Sequence, residues 1–406
     1  MNVDRKSQPV LSMWCLGKLG KFGNQVFQYA FLKICAEKFN LVVETEVWVG
    51  QKLFGHQESA ISKALPPVCD SHFQQLACNK EFGFYALEKG LSWYARSEFK
   101  RTDIAVVALE ELSEAETLIK DVDLWATGFS PTRFYAPYRD FFRLLFRPTP
   151  QVEKKARALL AAVQKRGKTL ICVHIRRGDF WQYPDYGIIF AAPIEWYLVQ
   201  LREIWAQVDS PVLVICSDEP DKVLDYFQEF HPFTSRELSP EITDFFFSQG
   251  LGFYPDFYLM SHADRLVISN SSFSVAASML NERCNSFFRP DPIQKKMIEF
   301  DPWNTDVYLN RIEGKTDSPR TLFFQRMKNF QEAISVHSFQ TMVVNGIPCL
   351  HKRVAFEAGS FLFYCLALIF SFLNKAFFER WGKSISPRKC LGYRKILDSL
   401  TKTHNA

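Results

Sequence analysis

Four ionisable side chains crowd the end of one apolar run. In Val173-His-Ile-Arg-Arg-Gly-Asp-Phe180, His174, Arg176, Arg177 and Asp179 come straight after Thr169-Leu-Ile-Cys-Val. Such a run, short and rich in apolar and β-branched residues, reads as a buried strand. An open α/β sheet binds its ligands at the carboxyl ends of its strands. A guanidinium placed there can grip phosphate oxygens through two parallel hydrogen bonds. A second anion-binding element is Ser269-Asn-Ser-Ser-Phe-Ser274, which offers hydroxyls and unpaired backbone N–H groups at a helix start. Two such elements suit a diphosphate. Each has a plainer reading when taken singly: R-R-G-D is often a solvated turn or a structural ion pair, and N-S-S before a helix is often only an N-cap. Asn270-Ser-Ser is also a formal glycosylation sequon, but its place beside a buried strand speaks against modification.

The elements that must position these residues are visible in the periodicity. Residues 11–16 form a short apolar run. The glycine-rich turn Gly17-Lys-Leu-Gly-Lys-Phe-Gly23 follows, and then a helical pattern with Val26, Phe27, Ala30, Phe31 and Ile34 on one face. The same grammar recurs after Pro150, with strands expected over 169–175, 211–216 and 265–269 and helices over 194–205, 254–262 and 273–280. Alternation of this kind implies parallel sheets covered by helices. Arg147-Pro-Thr-Pro150 marks the boundary between two such units, 1–150 and 151–312, with a third segment over 313–406.

Composition narrows the class. The chain has 406 residues, too many for one small core. Its 47% hydrophobic and 23% charged residues are those of a globular protein. The net charge of +5 is localised: beyond Asn374, eight Lys/Arg face two acids, which leaves everything before at about −1. A neutral body argues against nucleic acid as a partner. The ten cysteines form no C-x-x-C pair and no metal-ligand spacing, which favours a reducing compartment. The opening MNVDRKSQPV has neither the basic nor the apolar region of a secretory signal, so a cytoplasmic protein, or one at the cytoplasmic face of a membrane, is expected.

Three ordered motifs carry a family resemblance. Gly20-Lys-Phe-Gly-Asn-Gln-Val-Phe-Gln-Tyr-Ala30 resembles the G-x-x-G-N-Q-x-F-Q-Y-A opening of glycosyltransferase family 11, the α-1,2-fucosyltransferases. His174-Ile-Arg-Arg-Gly-Asp179 is similar to that family's H-x-R-R-x-D motif, and Leu266-Val-Ile-Ser-Asn-Ser-Ser-Phe-Ser274 to its I-S-N-S-S-F-S stretch. Weaker echoes lie at Cys216-Ser-Asp-Glu219 and between Gly128 and Arg143. The resemblance implies a GT-B architecture of two Rossmann-like domains facing across a cleft, the acceptor side first and the GDP-fucose side second. It also implies GDP-fucose as donor, a glycan acceptor, inversion at the sugar and no metal or other cofactor. By the same resemblance Arg176 contacts the β-phosphate, His174 and Asp256 hold guanine, and Ser271 and Ser272 bind phosphate. Asn24 lies near the reacting sugar, and Arg177, Phe273, Gly23 and Gln25 complete the donor site. The general base is Asp179 or Asp185, both in the loop after the arginines, and the sequence leaves that choice open.

Two departures concern the acceptor. Val275-Ala276 replaces a tryptophan pair common after I-S-N-S-S-F-S, and Gly128-Phe-Ser-Pro131 lacks an aromatic–glutamine pair. An α-1,2 linkage to galactose is therefore an analogy, and a protein O-fucosyltransferase-like activity is the alternative. Other rivals are a non-catalytic GDP-sugar-binding or membrane scaffold protein, and a metal-diphosphate site at Asp121-Val-Asp123. The last segment is read as a helical extension. Its uncharged stretch 358–374 would reach ~25 Å as a helix, against a hydrocarbon core of ~30 Å. The basic residues on either side suit an anionic membrane surface.

Overall fold

The computed structural model describes residues 8–70, 73, 105–112, 116, 118–178 and 190–309, together with the backbone of 342–344 and 347–349. Residues 1–313 form one compact unit and 314–406 another. The first holds two five-stranded sheets. One is built from β1 (Val10–Met13), β2 (Val42–Thr45), β3 (Pro67–Cys69), β4 (Ala105–Val106) and β5 (Val122–Trp125), in the order β2-β1-β5-β3-β4 with every pair parallel. The other contains β6 (Thr169–Ile175), β7 (Pro211–Ser217), β8 (Arg265–Val267), β9 (Phe287–Asp291) and β10 (Lys296–Glu299). Its order is β10-β9-β8-β6-β7, parallel except for the β9–β10 hairpin at one edge. This is the expected α/β class of GT-B type, two Rossmann-like sheets in one chain. In the second unit the described residues form the hairpin β11 (Met342–Val344) and β12 (Ile347–Cys349). The stretch 358–374 lies outside the described residues. Among the described residues, no helix is long and apolar enough to cross a membrane.

Both sheets have a point where the strand order reverses. In the first, β2 flanks β1 on one side and β5 on the other; in the second, β6 lies between β7 and β8. Crevices for ligands open outside the carboxyl ends of the strands at such points. From β1 the chain enters a turn with Gly17 and Gly20 at positive φ, the left-handed backbone that glycine adopts without cost. It continues into helix α1 (Phe22–Phe39). From β8 it enters helix α5 (Ser272–Leu280), after α2 (Pro150–Gln164), α3 (Ile194–Trp205) and α4 (Tyr254–Met260).

Two expectations need correction. The first strand ends at Met13, not at residue 16. The Trp14 amide is taken by Asp123 Oδ1 at 3.0 Å, and the Lys18 and Leu19 amides turn back to the Cys15 carbonyl. Nor is α1 apolar on one face only: from Phe22 to Ala36 every residue except Asn24 and Lys33 is buried. An all-round buried helix is one packed between layers, and α1 packs along α5 of the other half. Phe22 extends the packing to α4, with its ring 4.6 Å from Phe253 and 4.9 Å from Phe257, and it meets α5 at Phe273, 6.3 Å away.

Residues 301–309 return from the second sheet to the first half. The Thr132 amide donates to the Thr305 carbonyl at 2.7 Å, and the Thr305 amide donates to Thr132 Oγ1 at 2.9 Å. Trp303 packs edge-on against Phe142, with the Arg139 guanidinium 4.9 Å from its ring. Arg289, buried in the core, donates to the Asp306 carbonyl at 2.7 Å and to Asn270 Oδ1 at 3.3 Å. A buried guanidinium is tolerated when it satisfies several acceptors in this way. Burial still lowers it to about 10.

Candidate active site

The arginine motif emerges where its strand ends. β6 closes at Ile175, and Arg176 follows with its Nη1 2.9 Å from Asp218 Oδ2, both side chains largely buried. Asp218 Oδ1 accepts the Arg177 backbone N–H at 3.0 Å. A Cβ on Gly178 would lie 2.4 Å from Asp218 Oδ2, so only glycine lets that carboxylate sit so close. Asp218 stands one residue past β7, the neighbour of β6 in the sheet. It therefore fixes both the path of the R-R-G turn and the orientation of the Arg176 guanidinium. Only the faint Cys216-Ser-Asp-Glu219 echo pointed to it in the sequence.

His174 is buried, with Nδ1 2.8 Å from Ser269 Oγ and its ring 5.5 Å from that of Phe273. Burial, reinforced by the Arg176 guanidinium, lowers its imidazole to about 3. Near neutral pH it is an uncharged hydrogen-bonding group, unsuited to carrying a proton through a reaction. Asp256, in the first turn of α4, belongs to the same neighbourhood: its carbonyl faces Cys216 Sγ at 3.9 Å, and Cys216 is the residue paired with His174 across β6 and β7. Burial pushes the Asp256 carboxyl up to about 6, against the pull of a hydrogen bond from the Ser235 hydroxyl.

The Ser269–Ser274 segment forms a helix start. Ser271 is the N-cap of α5 and its hydroxyl accepts from the Phe273 amide at 3.4 Å. Asn270, fully buried, donates to the Leu309 carbonyl at 3.1 Å and accepts the Leu309 amide at 2.8 Å. Its side chain is thus built into the core, as the argument against glycosylation required.

The two glycine- and serine-rich motifs meet directly. Asn24 in the first turn of α1 accepts a hydrogen bond from Ser272 Oγ at 2.6 Å, although 248 residues separate them. A Cβ on Gly23 would fall 2.3 Å from the Phe273 amide nitrogen and 2.7 Å from the Ser272 carbonyl carbon. The helix starts of the two halves are therefore in backbone contact at Gly23. Gln25 turns the other way, its amide 3.5 Å from the Gly20 carbonyl, and so braces the glycine turn. Asp179 and Asp185 lie outside the described residues.

The D-x-D reading fails on its partners. Asp123 is buried and accepts from the Ser12 hydroxyl, the Trp14 amide and the Trp125 indole at 2.7, 3.0 and 2.6 Å. Asp121 accepts the Val10 amide at 3.1 Å. These carboxylates stitch β1 to β5 instead of facing a diphosphate.

Known proteins are similar to the chain in sequence over one stretch and in structure at low identity. The model of glycosyl transferase family 11 matches residues 119–286. That stretch contains His174, Arg176, Asp218, Asp256 and Ser269–Ser274, while Gly20–Gln25 lies before it. No curated protein matches the chain. Among solved structures, NodZ alpha-1,6-fucosyltransferase soaked with GDP-fucose is 13% identical at a TM-score of 0.44, over 73% of this chain and 99% of that one. A structure of fucosyltransferase NodZ from Bradyrhizobium is 12% identical at 0.43, with the same coverage. POFUT1 in complex with GDP-fucose is 12% identical at 0.42, over 70% of this chain and 98% of that one. From residue 119 to residue 286 the chain is therefore similar in sequence to glycosyl transferase family 11.

Proposed function

We propose that the protein moves L-fucose from GDP-fucose to a hydroxyl of a glycan acceptor, with inversion at the anomeric carbon. The observation that carries this reading is the convergence of three anion-compatible elements: Arg176 held by Asp218 at the end of β6, the α5 start at Ser271–Phe273, and the α1 start at Gly23–Asn24 in backbone contact with it. Breaking the sugar C1–O bond leaves growing negative charge on the diphosphate. Fixed donors aimed at that charge lower the barrier by ~3–4 kcal/mol for one good group. Arg176 and the α5 amides are such donors. Asp256 would accept from guanine N1–H and N2–H, which adenine cannot reproduce, and neutral His174 would fix the rim beside it. A carboxylate after the arginines, Asp179 or Asp185, would take the acceptor's proton. Purified protein given GDP-fucose and a glycan array tests the reading: GDP release with labelled glycan spots supports it, and GDP binding without release would indicate a binding module.

Two further outcomes are expected. Because Arg176 and helix-start amides meet the diphosphate charge, and Asp121 and Asp123 are committed to β1, EDTA should leave the initial rate unchanged. A loss restored by Mn²⁺ would reverse that. Asp256 should also make donor binding depend on pH. The guanine edge needs its ionised form, so GDP-fucose affinity should fall as pH drops through about 6, by about tenfold at pH ~5. Asp256→Asn should bind more weakly at neutral pH and lose this dependence; titration calorimetry across the range decides it. In the unliganded protein the sign is opposite. A raised carboxyl contributes stability below its unfolded value of ~3.9 that is lost as pH rises through about 6. GDP-fucose should therefore stabilise the protein more at pH ~7.5 than at pH ~5.

A further inference from the structure

We infer that Tyr308 is a positioning residue of the donor site, acting on the Asn24 carboxamide through Ser272. The inference rests on the fucosyl-transfer reading above. Tyr308 belongs to the 301–309 segment, beyond the family match and outside every motif of the sequence. Its hydroxyl donates to Ser272 Oγ at 3.0 Å, and Ser272 in turn donates to Asn24 Oδ1 at 2.6 Å; the direct distance from Tyr308 to Asn24 Oδ1 is 3.4 Å. A phenol has one proton to give, so the shorter contact defines the order: Tyr308 to Ser272 to Asn24.

This order has a consequence for Asn24. With its oxygen engaged by a hydroxyl donor, the amide is turned so that Nδ2, its donating side, lies over Gly20, where a Cβ would come within 2.1 Å of it. The relay therefore fixes which end of the carboxamide faces the glycine turn. Without the phenol, Ser272 can rotate its proton away, and the carboxamide is no longer held in one of its two flipped states.

The rest of the segment is built to deliver that one hydroxyl. Asn270 grips both backbone groups of the next residue, Leu309, and Arg289 holds Asn270 and the Asp306 carbonyl. Thr132 and Thr305 tie the same segment to the first half. The Tyr308 ring meets Phe129 edge-on at 5.0 Å. Tyr308 thus touches Asn24 and Phe129 of one half and Ser272 of the other, where a loss of hydrogen bonding changes alignment more than folding.

The test is a double-mutant cycle on GDP-fucose turnover, measured as GDP release, with GDP affinity measured separately by calorimetry. Tyr308→Phe keeps the ring packing and removes only the hydroxyl. It should lower kcat by about tenfold, the scale of one hydrogen bond, with the GDP dissociation constant and melting temperature near those of the wild type. In an Asn24→Ala background the same change should cost less than about twofold, because the group through which it acts is gone. Ser272→Ala should reproduce the Tyr308→Phe loss and make the second change nearly silent. Equal losses from Tyr308→Phe in both backgrounds, or an unchanged kcat, would overturn the inference while leaving the fucosyl-transfer reading in place. A wild-type protein that binds no GDP would overturn both.

Discussion

Arg176→Ala is expected to lower turnover by about two to three orders of magnitude, the cost of removing one fixed donor from a developing anion. Arg176→Lys should recover little of it. The guanidinium has two hydrogen-bonding edges, and the structure already uses part of one: Nη1 is 2.9 Å from Asp218 Oδ2. An arginine can satisfy Asp218 and still present donors to phosphate. Lysine is a single point charge, and with Asp218 beside it that charge would be drawn to the carboxylate. Steady-state GDP release settles the point, with melting temperatures recorded alongside, since the alanine variant leaves a partly buried Asp218 without its cation. A lysine variant with near-normal turnover would show that charge alone suffices and that the forked geometry has no part in the rate.

Arg176 was legible because β6 obeys local rules. Thr169–Ile175 is apolar, ends abruptly in charge, and forms the strand over the same residues that the pattern predicts. The 194–205 helix was read to the residue for the same reason, its apolar side being distinct from its polar one. What the pattern missed depends on partners far along the chain. Asp218 acquires meaning only once β7 is known to lie beside β6. The Asn24–Ser272 bond joins positions with no local relation, and Tyr308 sits in a stretch with no periodicity at all. Asp123 is the complementary case, a motif by spacing alone. Its spacing from Asp121 is that of a metal-diphosphate string, yet the Trp125 indole, two residues on, and the Ser12 hydroxyl and Trp14 amide of another strand take up the carboxylate. Helix α1 was misjudged because burial on a second side comes from the other half of the molecule, which no window of local sequence contains.

Gly23→Ala should be nearly as damaging as loss of Arg176, although it removes no chemical group. The added Cβ would stand 2.3 Å from the Phe273 nitrogen, 2.5 Å from its Cα and 2.7 Å from the Ser272 carbonyl carbon. All three are backbone atoms at the start of α5, so no rotamer change can make room and the two helix starts must part. Overpacking of this kind costs about 1–3 kcal/mol. The larger effect should be on the reaction: a misplacement of about 1 Å can cost about a hundredfold in rate, and here it would fall on the Ser272–Asn24 bond and on the α5 amides together. Gly252→Ala is the matched control. Its nearest neighbour would be the ring of Phe247 at 3.0 Å, a side chain 75% exposed and able to swing away. Gly23→Ala should therefore lose about two orders of magnitude in GDP release with a modest fall in melting temperature, while Gly252→Ala changes neither. Wild-type turnover in Gly23→Ala would mean that the two helix starts do not need their backbone contact, and that the donor site does not depend on the alignment of the two halves at this point.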